Sequence, residues 1–184
     1  MKKTIHALLV VLLFTAIGCK QNSEASTEAT TESSEAITTG QEGVVDTNSA
    51  PNIVQVASGS KDHTTLVAAV KAADLVRSLS NAGPFTVFAP TNAAFDKLPA
   101  GTVEGLLKPE KIGDLQNILG YHTYVGTLKT EYMNDGQEFD MVFGGKVKIT
   151  KKGDKTFVND SEIVASIPTS NGIIHVIGDV LLPK

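Results

Sequence analysis

The sequence contains no tryptophan and a single cysteine, Cys19. One thiol excludes an intrachain disulfide, so whatever folds here is held by burial. Also missing are a Gly-x-Ser-x-Gly nucleophile elbow and a glycine-rich phosphate cradle, which removes the commonest fingerprints of hydrolases and nucleotide enzymes. No apolar run is long enough to cross a bilayer. The longest, Ala7–Phe14, follows the basic pair Lys2-Lys3 and has the length of a signal-peptide core. Charge of one sign is lacking too. Between Asn52 and Lys184 there are 14 acids and 13 bases, a net of −1, so this part has no field with which to steer nucleic acid. Most of the chain's net charge of −4 lies elsewhere: residues 20–51 carry Glu24, Glu28, Glu32, Glu35, Glu42 and Asp46 against Lys20 alone.

What is present divides the 184 residues into three. Residues 1–18 read as a signal peptide. Ala16-Ile17-Gly18-Cys19 places small residues directly before the only thiol and resembles the lipobox of bacterial lipoproteins, although that motif favours Leu where Ala16 stands. The resemblance implies that Cys19 takes a diacylglycerol and becomes the mature N-terminus; an ordinary signal peptide with an incidental Cys is the alternative. Several acyl chains anchor stably where one is marginal. Lys20 follows Cys19 where enterobacterial inner-membrane retention uses Asp, which implies an outer membrane, facing either the periplasm or the exterior. Residues 19–51, rich in Ser, Thr, Glu and Ala and free of aromatics, cannot bury enough surface to offset ordering entropy and are expected to be a disordered tether. Such a tether spans roughly 30 Å root-mean-square. Ala and Glu also favour a helix there, against which Gly40, Gly43 and the repeated Thr and Ser count.

Residues 52–184 hold the domain, and its pattern turns from helical to β-rich partway along. Ile53, Val56 and Ala57 suggest an opening helix ended near Gly59. Leu66, Ala69, Val70, Ala73, Val76 and Leu79 lie on a helical face that should break near Asp74. Phe85–Ala89 reads as a buried strand ended by Pro90. Thr91 then caps a helix carrying Ala94, Phe95 and Leu98, closed by Pro99. Thr102 should cap a further helix, and Pro109 should open one that buries Ile112, Leu115, Ile118 and Leu119 and stops at Gly120. From Tyr121 onward the strands His122–Val125, Glu138–Phe143, Lys146–Thr150, Thr156–Val158, Glu162–Ile167 and Ile173–Leu182 alternate with turns at Asn134-Asp135-Gly136, Gly144-Gly145, Lys152-Gly153-Asp154, Asn159-Asp160 and Asn171-Gly172. Lys129–Met133 reads as one helical turn. Helices first and strands after make an α+β domain.

Three segments in this order carry a family resemblance. Phe85–Phe95, Leu119-Gly120-Tyr121-His122 and Asn171–Ile177 followed by Val180-Leu181-Leu182-Pro183 are similar to the signatures of fasciclin-type domains. The resemblance implies helices packed along a β-sandwich or wedge, with Thr91, Asn92, Tyr121, His122, Asn171 and His175 as structural motif residues and no cofactor. It also implies adhesion and partner binding as the business of the fold. Animal members use an Asp-Ile dipeptide for integrin contact; here that position reads Ser166-Ile167, so integrin contact does not carry over. The terminal Ile-Asp-x-Val likewise reads Ile177-Gly178-Asp179-Val180, with the acid one place later.

Chemistry-bearing residues are few. His63, His122 and His175 have no His, Cys or Asp partner at metal-ligand spacing, so catalytic, cofactor and metal sites are all expected to be absent. His122 and His175 sit among apolar neighbours, where a buried imidazole should bond backbone or hydroxyl groups and fix strand register. The strand-to-helix turn at Pro90-Thr91 has the shape of a catalytic elbow without its nucleophile, and a structural corner fits it better. Lys146, Lys148, Lys151, Lys152 and Lys155 make a basic hairpin, either a solvated edge or a contact patch for an anionic glycan or acidic protein. The expectation is therefore a lipid-anchored, non-enzymatic adhesion or protein-interaction module of a bacterial envelope, with membrane contact through lipid, an unidentified protein or glycan partner and no nucleic acid. An envelope enzyme or small-ligand carrier is the alternative.

Overall fold

The computed structural model describes residues 50–183. The expected signal peptide, Cys19 and all of the tether but its last two residues lie outside that range. Six helices come mostly before the sheet: α1 (Ile53–Gly59), α2 (Thr64–Ala72), α3 (Val76–Ser80), α4 (Asn92–Asp96), α5 (Thr102–Leu106) and α6 (Ile112–Tyr121). Asn52 opens α1 with a capping box, its side chain accepting from Gln55 N–H while the Gln55 side chain accepts from Asn52 N–H. The break between α2 and α3 falls at Asp74, which takes a left-handed φ of 56°.

Seven strands form one sheet in the order β2-β1-β7-β6-β5-β4-β3. These are β1 (Phe85–Pro90), β2 (Thr123–Val125), β3 (Glu138–Asp140), β4 (Lys146–Lys152), β5 (Lys155–Val158), β6 (Ser161–Thr169) and β7 (Gly172–Ile177). β1 runs parallel to β7 with Phe88 beside His175, and every other pairing is antiparallel. Just past β3, Val142 N–H donates to Thr123 O of β2 at 3.0 Å, so the two edge strands meet and the sheet becomes a nearly closed wedge. That contact pairs part of the backbone an open sheet would present at its edges. A bulge between Ile163 and Ala165 leaves Val164 pointing to solvent.

Alternation along β1 and β7 separates two cores. Val87, Ala89 and Ile174 face the helices, where they meet Ile53, Leu66, Val70, Leu79, Leu115 and Leu119. Phe88 and Ile177 face the wedge interior with Met133, Met141, Val147, Ile149 and Val158. Each buried Val, Leu, Ile or Phe contributes about 1.5–3 kcal/mol, so burial supplies what a disulfide does not.

Several local expectations change. The helix after Thr91 ends at Asp96, two residues before Leu98, so Pro99 is not what stops it. Thr102 does not cap α5: Gly101 holds the cap position with φ +82°, where a side chain would be strained, and no side chain bonds there. Gly120 does not terminate α6 either. The helix continues through Tyr121, and Gly120 is instead a contact, since a Cβ there would overlap the Phe143 ring. His122 consequently caps α6 and is not in a strand. β3 and β7 end earlier than expected, at Asp140 and Ile177.

Candidate functional site

The motif residues lie in buried or half-buried positions at the seams between elements. Thr91 Oγ1 accepts from Ala94 N–H at 3.3 Å and starts α4. Asn92 works on a different helix: its Oδ1 accepts from Thr65 N–H at 3.0 Å and Thr64 Oγ1 at 3.2 Å, while its Nδ2 donates to Lys61 O at 2.9 Å. It thus satisfies the amino end of α2, which His63 leaves without a side-chain cap. Asn171 ties three segments. It accepts from Ile53 N–H at 3.0 Å and donates to Leu79 O and Asn81 O, both at 2.8 Å.

Tyr121 and His122 are 4% and 2% exposed. The Tyr121 hydroxyl donates to Lys146 O at 2.7 Å, fastening α6 to β4. His122 pairs Nδ1 with Ile118 O at 2.8 Å, and its Nε2 accepts from Leu181 N–H at 2.9 Å. That geometry assigns the proton to Nδ1 and requires a neutral ring. Burial, partly offset by the Ile118 carbonyl, pushes the His122 pKa down to about 4. His175 is fully buried and stacks on Phe88 with ring centroids 5.5 Å apart. Its Nε2 bonds Leu128 O at 2.6 Å and its Nδ1 bonds Ser166 Oγ at 2.8 Å; burial again lowers its pKa. Beside it, Thr86 donates to Gly126 O at 2.7 Å and accepts from Leu128 N–H at 2.9 Å. Neither Thr86 nor Ser166 stands out in the sequence, because a lone hydroxyl in a strand has no signature; the β1–β7 pairing shows what Thr86 faces, and the β6–β7 pairing sets Ser166 opposite His175.

His63 is buried, with Nδ1 on Ser60 Oγ at 2.8 Å, no partner on Nε2, and a pKa lowered by burial. Among the described residues no three His, Cys, Asp or Glu side chains gather as metal ligands. The basic hairpin is β4–β5. Lys146 and Lys148 alternate outward around buried Val147 and Ile149. Lys146 pairs with Glu138 at 3.6 Å and Lys155 with Glu162 at 2.9 Å, while Lys152 sits 4.9 Å from the Phe157 ring centroid. Lys151 N–H donates to Asp135 Oδ1 at 2.8 Å. Acids thus stand beside the lysines, and the hairpin is less positive than its sequence reads. The large exposed apolar side chains among the described residues are Val125, Tyr132, Val142, Phe143, Val164 and Leu182, none of them in the hairpin.

These geometries define a class of domain, an α+β wedge whose polar signature residues are built into its seams. The chain belongs to the fasciclin-domain family: the Fasciclin domain family matches residues 61–183. Over 74% of its length it is 49% identical to Protein sll1483 of Synechocystis sp., covering 76% of that protein. Immunogenic protein MPB70 of Mycobacterium bovis is 35% identical over 71% of this chain and 68% of its own. Human periostin is also 35% identical, over 66% of this chain and 15% of periostin. Among solved structures, a FAS1 domain pair from the insect cell adhesion molecule Fasciclin I superposes with a TM-score of 0.61 at 16% identity, over 72% of this chain and 51% of that one, a likeness of fold.

Proposed function

We propose that this chain is a non-enzymatic adhesion or protein-interaction module, displayed on a bacterial envelope by lipid on Cys19 and held off the membrane by the acidic tether. The observation that carries this reading is the state of the motif residues. Tyr121, His122 and His175 are almost wholly buried and their polar atoms bond backbone, Asn159 or Ser166, so none is free to act on a substrate. These residues serve the fold, and binding falls to the outer surface. Membership of a family that includes an insect cell adhesion molecule supports the same reading. The alternative, an enzyme or polar-ligand carrier, calls for polar groups converging in a pocket. The two cavities against the helical core are lined almost entirely by apolar side chains, and the two more open clefts that carry polar residues, one at Thr65, Asp96 and Glu104 and one at Thr169, Ser170 and Asn171, contain none of Tyr121, His122 and His175.

Fractionation tests the display. Wild-type chain is expected in the membrane pellet and Cys19→Ser in the soluble fraction; a Cys19→Ser chain that still pellets removes the lipid anchor. Binding is tested by immobilising the mature chain against envelope extracts and glycan arrays. A saturable partner supports the module, whereas turnover of a substrate by purified chain overturns it.

A further inference from the structure

After β7 the chain crosses the helical layer as a strap. Lys97 Nζ fastens its start, donating to Gly178 O at 2.8 Å and pairing with Asp179 at 2.6 Å. Ser161 Oγ accepts from Asp179 N–H at 2.9 Å, and His122 Nε2 holds Leu181 N–H. Leu181 enters the wedge core while its neighbours Val180 and Leu182 face the helices, as extended backbone requires. Between those two side chains and α4–α6 lies a cavity of about 170 Å³. Leu66, Phe95, Leu106 and Leu115 form much of its wall; among the described residues Thr102 is the single polar one in it, and none that lines it is charged.

A second feature points to the same place. Val103, Leu106 and Leu107 from α5 and its end face this space, yet α5 contributes no buried residue. Packed interiors leave few voids larger than a water molecule, and an apolar helix face is normally sealed against its neighbours. Here α5 rests over open volume.

We propose that this cavity is a binding site for a small uncharged hydrocarbon group, a single benzene-sized ring or an alkyl chain of similar bulk. Water is a poor occupant because it needs two to four polar partners, and an engineered apolar cavity of about 150 Å³ stays dry and takes benzene or xenon. A carboxylate or phosphate in the interior would be desolvated with no cation among the described lining residues to meet it, which disfavours charged ligands there. Leu182, half exposed, forms the rim and sets entry.

The probe is benzene, added to the chain from residue 19 onward carrying Cys19→Ser so that no acyl chain competes. Saturable methyl NMR shifts are expected at Leu106, Leu115 and Val180, with a raised melting temperature. Val103→Phe, which fills the space, is expected to abolish the shifts while melting no lower than the parent. Xenon on the unsubstituted protein gives the same test without relying on that variant's fold: one site, displaced by benzene. The proposal fails if no shift saturates, if Val103→Phe leaves the shifts intact, if benzene does not displace xenon, or if the shifts fall at Val54, Val67 and Ile174 around the separate cavity of about 30 Å³.

Discussion

Replacing His122 by Ala should destabilise the domain by an amount that depends on pH in a calculable way. At pH 7.5 the substitution leaves Leu181 N–H buried without an acceptor, which costs about 1–3 kcal/mol. Ile118 O loses less, because it also accepts from His122 N–H. The missing ring opens a void that adds about 1 kcal/mol. The total, about 3 kcal/mol, corresponds to a fall in melting temperature of about 10 °C for a domain of this size.

Acid should erase most of that difference. Burial holds the folded His122 pKa near 4 against 6.5 in the unfolded chain, so the unfolded state takes up the proton first. Its contribution is therefore full above pH 6.5 and is lost progressively as pH falls from 6.5 to about 4. At pH 4.5 the wild type has lost about 2.5 kcal/mol through this ring alone, a loss the Ala variant does not share. His63 and His175, whose pKa values are also lowered, titrate in both proteins and cancel in the comparison. Urea unfolding of both proteins at the two pH values should show the gap shrink from about 3 to below about 1 kcal/mol. An equal gap at pH 7.5 and 4.5 would refute the assignment of a neutral, doubly bonded His122.

Other substitutions read other seams. Gly120→Ala should destabilise by about 1 kcal/mol because its methyl meets the Phe143 side chain, yet stabilise by a few tenths in a Phe143→Gly background, where neither ring nor Cβ stands in its way and helix propensity remains; urea unfolding showing the same sign in both backgrounds would contradict the contact. Ser166→Ala should cost about 1 kcal/mol by orphaning Nδ1 of His175, although Ser166 itself is exposed; an unchanged melt would count against the bond. Lys151→Glu combined with Lys152→Glu should change stability by less than about 0.5 kcal/mol, since both lysines are exposed, although the hairpin lies inside the sheet between β3 and β6 and not at the edge its sequence suggested. Salt-sensitive heparin retention that disappeared in this double variant would instead make it a contact patch.

Features written in neighbouring residues were legible before the fold was known. The break at Asp74, the strand at Phe85 and the cap at Thr91 each depend on a few adjacent positions, and all three are found. Gly120 shows the limit of that reading. A glycine near a helix end commonly terminates it, but what meets this one is Phe143, far along the chain. Misplacing the helix end by one residue put His122 in a strand, although its burial and backbone bonding followed from the apolar residues around it. The parallel pairing of β1 with β7 had no local signal, so Thr86 and Leu128 near His175 were invisible until those strands lay side by side, whereas Ser166 meets His175 across the β6–β7 hairpin. The cavity under α5 was equally hidden, because an apolar helix face reads the same whether or not something fills the space beneath it.

The most direct test of the proposed role is the detachment force of single cells from a surface coated with their own envelope material, compared among wild type, a deletion strain and Cys19→Ser. The account predicts strong, saturable attachment for wild type, blocked by added soluble domain, with deletion and Cys19→Ser equally weak. Equal attachment in all three strains would contradict it.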